Sequence, residues 1–179
     1  MELLLVIFAA LVLALIWIYN RLVRQRNIVS AAWADIDVQL QKRHELVPNL
    51  VATVRGYMKH EAEVLEQTTL ARTAEPRGLD PLAAQETGLS RQLGKLFALA
   101  EDYPDLKASE GFQQLHESLV AIEDDLQYAR RYYNGAVRDN NNLVQSVPIN
   151  LVAGPFGFRE AEFFEIELAS QRRAPRVSL

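Results

Sequence analysis

The chain begins with an uninterrupted apolar stretch. No charged side chain occurs from Leu3 to Asn20. A helix over these residues would extend about 27 Å at about 1.5 Å per residue, close to the bilayer hydrocarbon thickness of about 30 Å. The pattern predicts a transmembrane helix. A cleaved signal peptide is disfavoured, because Glu2 and no Lys or Arg precedes the stretch and no Ala-x-Ala motif precedes a plausible cleavage point.

The residues that flank this stretch predict its orientation. Arg21, Arg24 and Arg26 follow it directly, whereas no basic side chain precedes it. Since cytoplasmic flanks carry the excess of Lys and Arg, the N-terminus should lie outside and the body in the cytoplasm. Trp17 and Tyr19 occupy positions typical of the aromatic belt at a membrane surface.

After the predicted span, apolar residues recur at spacings of three and four, which is typical of amphipathic helices. The first stripe consists of Leu22, Val29, Trp33, Ile36, Leu40, Val47, Leu50, Val54, Tyr57 and Val64. A helix that continued unbroken to Arg72 would be far longer than a usual globular helix. Pro48 is expected to kink or interrupt it, because proline removes one hydrogen bond and clashes with the preceding turn.

Two further helices are predicted. The second begins with Asp80 as N-cap and Pro81 as its first residue, and it ends before Pro104. The third begins after Ser109, a good N-cap, and stops at Pro148. Their apolar stripes need partners, so the fold class is all-α: an N-terminal transmembrane helix followed by an up-and-down bundle of three to four long helices.

These elements divide the chain into three parts. We expect a transmembrane anchor at 1–20, a cytoplasmic helical bundle at 21–150 and a C-terminal tail at 151–179.

The composition mainly excludes classes of partner and site. The chain has 19 Lys and Arg against 23 Asp and Glu, a formal net charge of −4, so nucleic acid is not predicted as a partner. Cysteine is absent, which excludes disulfides and thiolate sites.

Three His-Glu pairs are the only residues that suggest metal chemistry. They begin at His44, His60 and His116. A zinc-protease helix needs a second histidine four residues further on, and those positions hold Pro48, Val64 and Val120. No phosphate loop, dinucleotide fingerprint or nucleophile elbow is present. We therefore assign no catalytic, cofactor-binding or metal-ligating residue and do not predict an enzyme.

Polar residues on the apolar stripes are the more informative candidates. Arg43 and Glu61 lie on the first stripe and Asn140 on the third. Buried groups of this kind persist only when they are paired or hydrogen-bonded, and Glu123 is the first candidate partner for Arg43. They either specify helix register or form a polar site between helices. Further contributors to such a site would be Asp35, Asp37, Glu123, Arg130 and Asn134.

The order of motifs resembles the LemA family over nearly the whole chain. The first half of the match is carried by Tyr19-Asn20, Ala32-Trp33, Asp37-Val38-Gln39-Leu40, Arg43, Leu46-Val47-Pro48-Asn49-Leu50-Val51, His60-Glu61 and Ala71-Arg72. The second half adds Glu101, Tyr103-Pro104-Asp105-Leu106-Lys107-Ala108, Phe112, Leu115, Glu123, Ala129-Arg130, Tyr133-Asn134, Asn140, Pro148, Gly157-Phe158 and Phe163-Phe164.

The resemblance implies a bacterial single-span inner-membrane protein with an outward N-terminus and a cytoplasmic bundle of four helices. The fourth helix would come from the kink at Pro48. The resemblance brings no catalytic residues. The candidate structural or interaction residues are Arg43, Pro48, Asn49, Glu61, Glu123, Arg130, Asn134 and Asn140.

The leading functional hypothesis is a membrane-anchored scaffold or adaptor. It would act through self-association as a homo-oligomer and through contacts with other inner-membrane proteins, with the lipid bilayer as a further partner. A hydrolase that uses the region of Arg43, Glu61 and Glu123 is one alternative. A lipid-binding, membrane-shaping module is another, supported by the arginines after the span and by Arg172, Arg173 and Arg176 in the tail.

Overall fold

The structure is a computed structural model that describes residues 1–58, 62–73 and 78–164. Within these ranges it contains helices and no strands, which confirms the all-α prediction. The helices are α1 (Glu2–Arg55), α2 (Ala62–Thr73), α3 (Leu79–Ala100), α4 (Pro104–Lys107), α5 (Glu110–Gln145) and α6 (Asn150–Ala153).

Helix α1 contains 54 residues and continues through Pro48. An interruption at Pro48 is therefore wrong, whereas a kink there stays a prediction. Val47 and Leu50 on either side of the proline are buried in the core, and their packing offsets the lost hydrogen bond. The helix ends instead at Arg55, just before Gly56, a residue of poor helix propensity. The fourth long helix of the bundle is α2, which begins at Ala62.

Helix α3 begins slightly earlier than predicted. Gly78, with φ of 103°, occupies the N-cap position, so Asp80 is not the cap. Pro81 is the third helical residue and still lies in the first turn, where a backbone N–H needs no helical partner. The amide of Leu82 donates to the Gly78 carbonyl at 3.3 Å and closes this turn. Helix α5 occupies the range between Ser109 and Pro148 that the sequence predicts.

The chain forms two compact units. The first combines Met1–Asp37 with Gln127–Phe163, and the second is formed mainly by Val38–Leu126. Each of the two longest helices, α1 and α5, contributes residues to both units.

The second unit is a bundle with one continuous apolar core. Helices α1, α2, α3 and α5 supply most of it, and α4 adds one side chain. Its buried residues are Val47, Leu50, Val51, Val54, Met58, Leu65, Leu89, Leu93, Leu96, Ala100, Leu106, Phe112 and Leu119. The predicted stripes therefore pack against one another in a helical bundle.

The first unit pairs α1 with α5 in antiparallel order. The side-chain amide of Gln25 donates to the carbonyl of Ala136 at 3.1 Å, and the rings of Trp33 and Tyr133 meet edge to face at 5.4 Å. Residues beyond Pro148 complete this unit. Its core cluster is Ile18, Leu22, Leu143, Ile149, Val152, Ala153 and Phe158.

The N-terminal part of α1 is apolar and exposed. Residues 1–17 are all exposed, and Ile18 is the first buried side chain. An 18-residue stretch of α1 has a mean hydropathy of 2.6, and only 6% of this stretch is buried. By length and composition, this segment can cross a membrane.

Candidate functional site

A group of charged side chains lies inside the second unit and joins three helices. We call Arg43, His44, Glu86, Ser90 and Glu123 the buried charge cluster. Arg43 on α1 is 3% exposed and Glu86 on α3 is 0% exposed. The Arg43 Nη1 atom lies 3.4 Å from Glu86 Oε2 and also 3.4 Å from Glu123 Oε2 on α5. The structure thus places Arg43 beside its expected partner and beside a second, fully buried carboxylate.

Ser90 and His44 complete the cluster. Arg43 Nη2 donates to the Ser90 hydroxyl at 2.6 Å, and His44 Nε2 lies 2.8 Å from Glu86 Oε1. An ionised carboxylate only accepts hydrogen bonds, so the Nε2 atom of His44 must carry a proton in this contact. Both oxygens of Glu86 therefore have a donor, which satisfies the condition for burying a carboxylate.

Glu86 is the residue that the sequence reasoning missed. It lies four residues after Leu82 and three before Leu89, so it continues the apolar stripe of α3. A polar residue at such a position is the same signal that identified Arg43 on α1. Two opposite charges on the inner faces of two helices are a recognisable pair, and reading both stripes together would have found it.

The cluster holds an internal ion pair rather than an open reaction site. Its central carboxylate has no solvent-exposed surface, and its polar groups bond to one another. Over the described ranges, no three His, Asp or Glu side chains converge as a metal site would require. What the arrangement can do is fix α1, α3 and α5 in one register.

The remaining candidates near Pro48 lie on the surface. Pro48 and Asn49 are both exposed, and the Asn49 carbonyl accepts a hydrogen bond from the Thr53 hydroxyl at 2.9 Å. Pro48 borders a shallow groove of about 210 Å³ between α1 and α2. This groove is lined by Val47, Pro48, Val51, Ala52, Arg55, Thr69 and Arg72. Glu61 and His60 lie outside the described residues.

In the first unit, polar side chains of α5 hold the extended segment 159–163. Asn140 is buried and donates to the carbonyl of Arg159 at 3.2 Å. Asn141 bonds both the N–H and the carbonyl of Ala161, at 2.8 and 3.0 Å. The structure therefore gives Asn140 a partner in the chain after α6.

Tyr133 makes the third contact with this segment. Its hydroxyl donates to the carbonyl of Glu162 at 2.9 Å. Burial raises the pKa of Tyr133 above its usual 10.0, and the nearby negative charge of Glu162 raises this pKa further. Arg130 and Asn134 are half-buried on the same part of α5, whereas Asp35 and Asp37 are exposed on α1.

Comparison with known proteins identifies relatives over most of the chain. Magnetosome protein MamQ 2 of Paramagnetospirillum magneticum is 24% identical over 87% of this chain and 68% of its own length. Magnetosome protein MamQ of Magnetospirillum gryphiswaldense is 23% identical over 87% of this chain and 67% of its own. Protein LemA of Metamycoplasma hominis is 25% identical over 82% of this chain and 68% of its own.

The family comparison covers the chain from Ala32 onward. The family model described as LemA family matches residues 32–179, which include the predicted second and third helices and all residues of the buried charge cluster. Because this match extends over much more than half of the sequence, the chain belongs to the LemA family.

Proposed function

We propose that this chain is a membrane-anchored helical scaffold or adaptor of the bacterial inner membrane. It acts by contact, both with copies of itself and with other inner-membrane proteins. The observation that carries the proposal is α1: one helix is exposed and apolar over residues 1–17 and then continues to Arg55 as part of the packed body. An anchor built in this way belongs to the same helix that packs in the body.

The expected orientation is N-terminus outside and body in the cytoplasm. Arg21, Arg24 and Arg26 follow the apolar segment and are all exposed, and a cytoplasmic flank favours such residues. Because the chain has no cysteine, single-cysteine variants report this orientation cleanly. In intact cells an impermeant maleimide should label Glu2→Cys, and it should label Glu117→Cys only after the membrane is permeabilised. The reverse pattern would contradict the orientation.

A pair of tyrosines supplies a surface for protein contact. Tyr128 and Tyr132 lie one turn apart on α5 and are 65% and 58% exposed. The Arg131 guanidinium lies 4.5 Å from the Tyr128 ring centroid and orders that ring. Tyrosine and arginine are enriched in protein interfaces, where their large side chains bury much area. We take these three residues as the contact face.

The buried charge cluster supports a structural role better than a hydrolytic one. A hydrolase that used Arg43 would have to bring water and substrate to a side chain that is 3% exposed and already contacts Glu86, Glu123 and Ser90. A fixed register of α1, α3 and α5 instead gives the outer faces of these helices a defined shape, which a scaffold needs.

Site-specific photo-cross-linking in intact membranes tests the contact face. A benzophenone amino acid replaces Tyr132 in one variant and exposed Glu117 on the same helix in the control. We expect adducts from position 132, at twice the mass of the chain for self-association or at a larger set of masses for partner proteins, and fewer adducts from position 117. If neither position yields a protein adduct, the scaffold proposal is wrong. Equal yields would show that the tyrosines are not the contact face.

A further inference from the structure

Three large apolar side chains project into solvent just after α5. Val147 is 78% exposed, Leu151 is 71% exposed and Phe156 is 61% exposed. We call residues 147–156 the apolar turn. The sequence around it contains no charged side chain from Asn140 to Phe158. An exposed group of this kind, free of charge over so long a stretch, marks a surface that another apolar phase covers.

The other half of the apolar turn packs against the end of the predicted span. Ile149, Val152 and Ala153 are buried in the same cluster as Ile18 and Leu22 of α1. The ring of Phe156 meets the ring of Tyr19 edge to face, with centroids 5.3 Å apart. These contacts place the apolar turn beside residues 18–22, where the uncharged stretch of α1 gives way to Arg21.

We propose that the apolar turn inserts into the surface layer of the same bilayer that α1 crosses, as a second and interfacial membrane contact. The inference rests on the membrane anchoring proposed above. Lipid is the occupant, because residues 18–22 lie at the membrane boundary if residues 3–20 span it, and the exposed side chains are attached at that level. Val147, Leu151 and Phe156 would then lie about 5–10 Å into the boundary between headgroups and acyl chains.

The chain leaves this level at a defined point. Gly157 has φ of 74°, a left-handed conformation that glycine adopts without strain. The residues on its two sides differ in exposure. Phe156, before the glycine, is exposed, whereas Phe158, after it, is buried. The Arg26 guanidinium lies over the Phe158 ring, 5.2 Å from the ring centroid. The first charged residues, Arg159 and Glu160, follow at once. The charge-free stretch therefore ends where the chain turns back along α5.

Fluorescence quenching of the full chain in liposomes tests the proposal. Single-cysteine variants Leu151→Cys and Phe156→Cys carry a polarity-sensitive fluorophore, and the lipids carry spin labels at a shallow or a terminal position of the acyl chain. Leu11→Cys, in the middle of the span, is the positive control. Glu117→Cys, exposed on α5, is the negative control. Circular dichroism establishes that each labelled variant is folded.

We expect shallow lipid quenching at 151 and 156 that is several-fold stronger than at 117, together with protection from aqueous iodide. Quenching by iodide at 151 and 156 as strong as at 117 would overturn the proposal while leaving the span intact, provided that position 11 is quenched by lipid. Protection from iodide without lipid quenching would show that a protein copy covers the turn, and would also overturn it. Failure of lipid quenching at position 11 would refute the anchoring itself.

Discussion

Replacing Arg43 by leucine tests the energetic importance of the buried charge cluster. The substitution removes the guanidinium that neutralises Glu86, which has no exposed surface through which water could compensate. Breaking a buried ion pair by removing one partner costs about 3–5 kcal/mol. In a chain of this length, 1 kcal/mol shifts the melting temperature by about 2–4 °C, so we expect a decrease of at least about 6 °C.

The two possible carboxylate partners should respond differently in double variants. Arg43→Leu with Glu86→Leu replaces the buried pair by apolar groups, a change that is often neutral or stabilising, so most of the lost stability should return. Arg43→Leu with Glu123→Leu should recover less than about 1 kcal/mol, because the Glu123 side chain is 30% exposed and remains hydrated.

Thermal melting of the full chain in detergent, followed by circular dichroism, measures these differences. The design needs the wild type, Arg43→Leu, Glu86→Leu and their double variant, together with the matching set in which Glu123→Leu replaces Glu86→Leu. If the losses from Arg43→Leu and Glu86→Leu simply add, the two side chains are not coupled. Equal recovery by Glu123→Leu and Glu86→Leu would also refute the assignment of Glu86 as the dominant partner.

Three further predictions concern the first unit. Gly157→Ala should destabilise the chain by about 1 kcal/mol or more because of the positive φ, although a Cβ there meets no atom within 4 Å. Gly135→Ala, inside α5, should stabilise the chain by about 0.5–1 kcal/mol. If thermal melting showed that Gly157→Ala and Gly135→Ala change the stability in the same direction, the conformational argument would be contradicted. The wild type should lose stability as the pH rises above 10.0, the unfolded pKa of Tyr133, because the folded state keeps the phenol protonated to higher pH; melting curves against pH should show a smaller loss for Tyr133→Phe. Asn141→Ala should speed tryptic cleavage in segment 159–163, measured by mass spectrometry, whereas Asn142→Ala at a neighbouring exposed position should not.

The sequence predicts the long helices well because their signals are local and repeated. The apolar residues of α5 keep a spacing of three and four along its whole length, and Ser109 and Pro148 bracket it. Pro48 does not end α1, because the packing that opposes an interruption comes from residues distant in sequence. The actual end of α1 lies directly before Gly56, a residue of poor helix propensity.

The charge cluster shows a different limit of sequence reasoning. Arg43 could be identified because it is a polar residue on a long stripe, and Glu123 was its candidate partner. The choice between Glu86 and Glu123 depends on the rotation of α3 within the bundle. Periodicity identifies the apolar stripe of each helix, but it does not show which residues of two stripes contact each other. Asn140 illustrates the same limit, since its partner lies in an extended segment that has no periodic pattern.

In the apolar turn, too, the sequence pattern alone does not show which residues are buried and what they contact. The charge-free sequence from Asn140 to Phe158 is compatible with a core segment and with a membrane-contacting one, and the structure shows that it contains a buried part and an exposed part. Ile149, Val152 and Ala153 are the core part, because they pack on Ile18 and Leu22. The exposed remainder is thereby fixed at the end of the apolar segment of α1. Exposing three apolar side chains to water there would be unfavourable for a soluble body. For a body held at a bilayer surface, burying the same side chains in lipid is favourable.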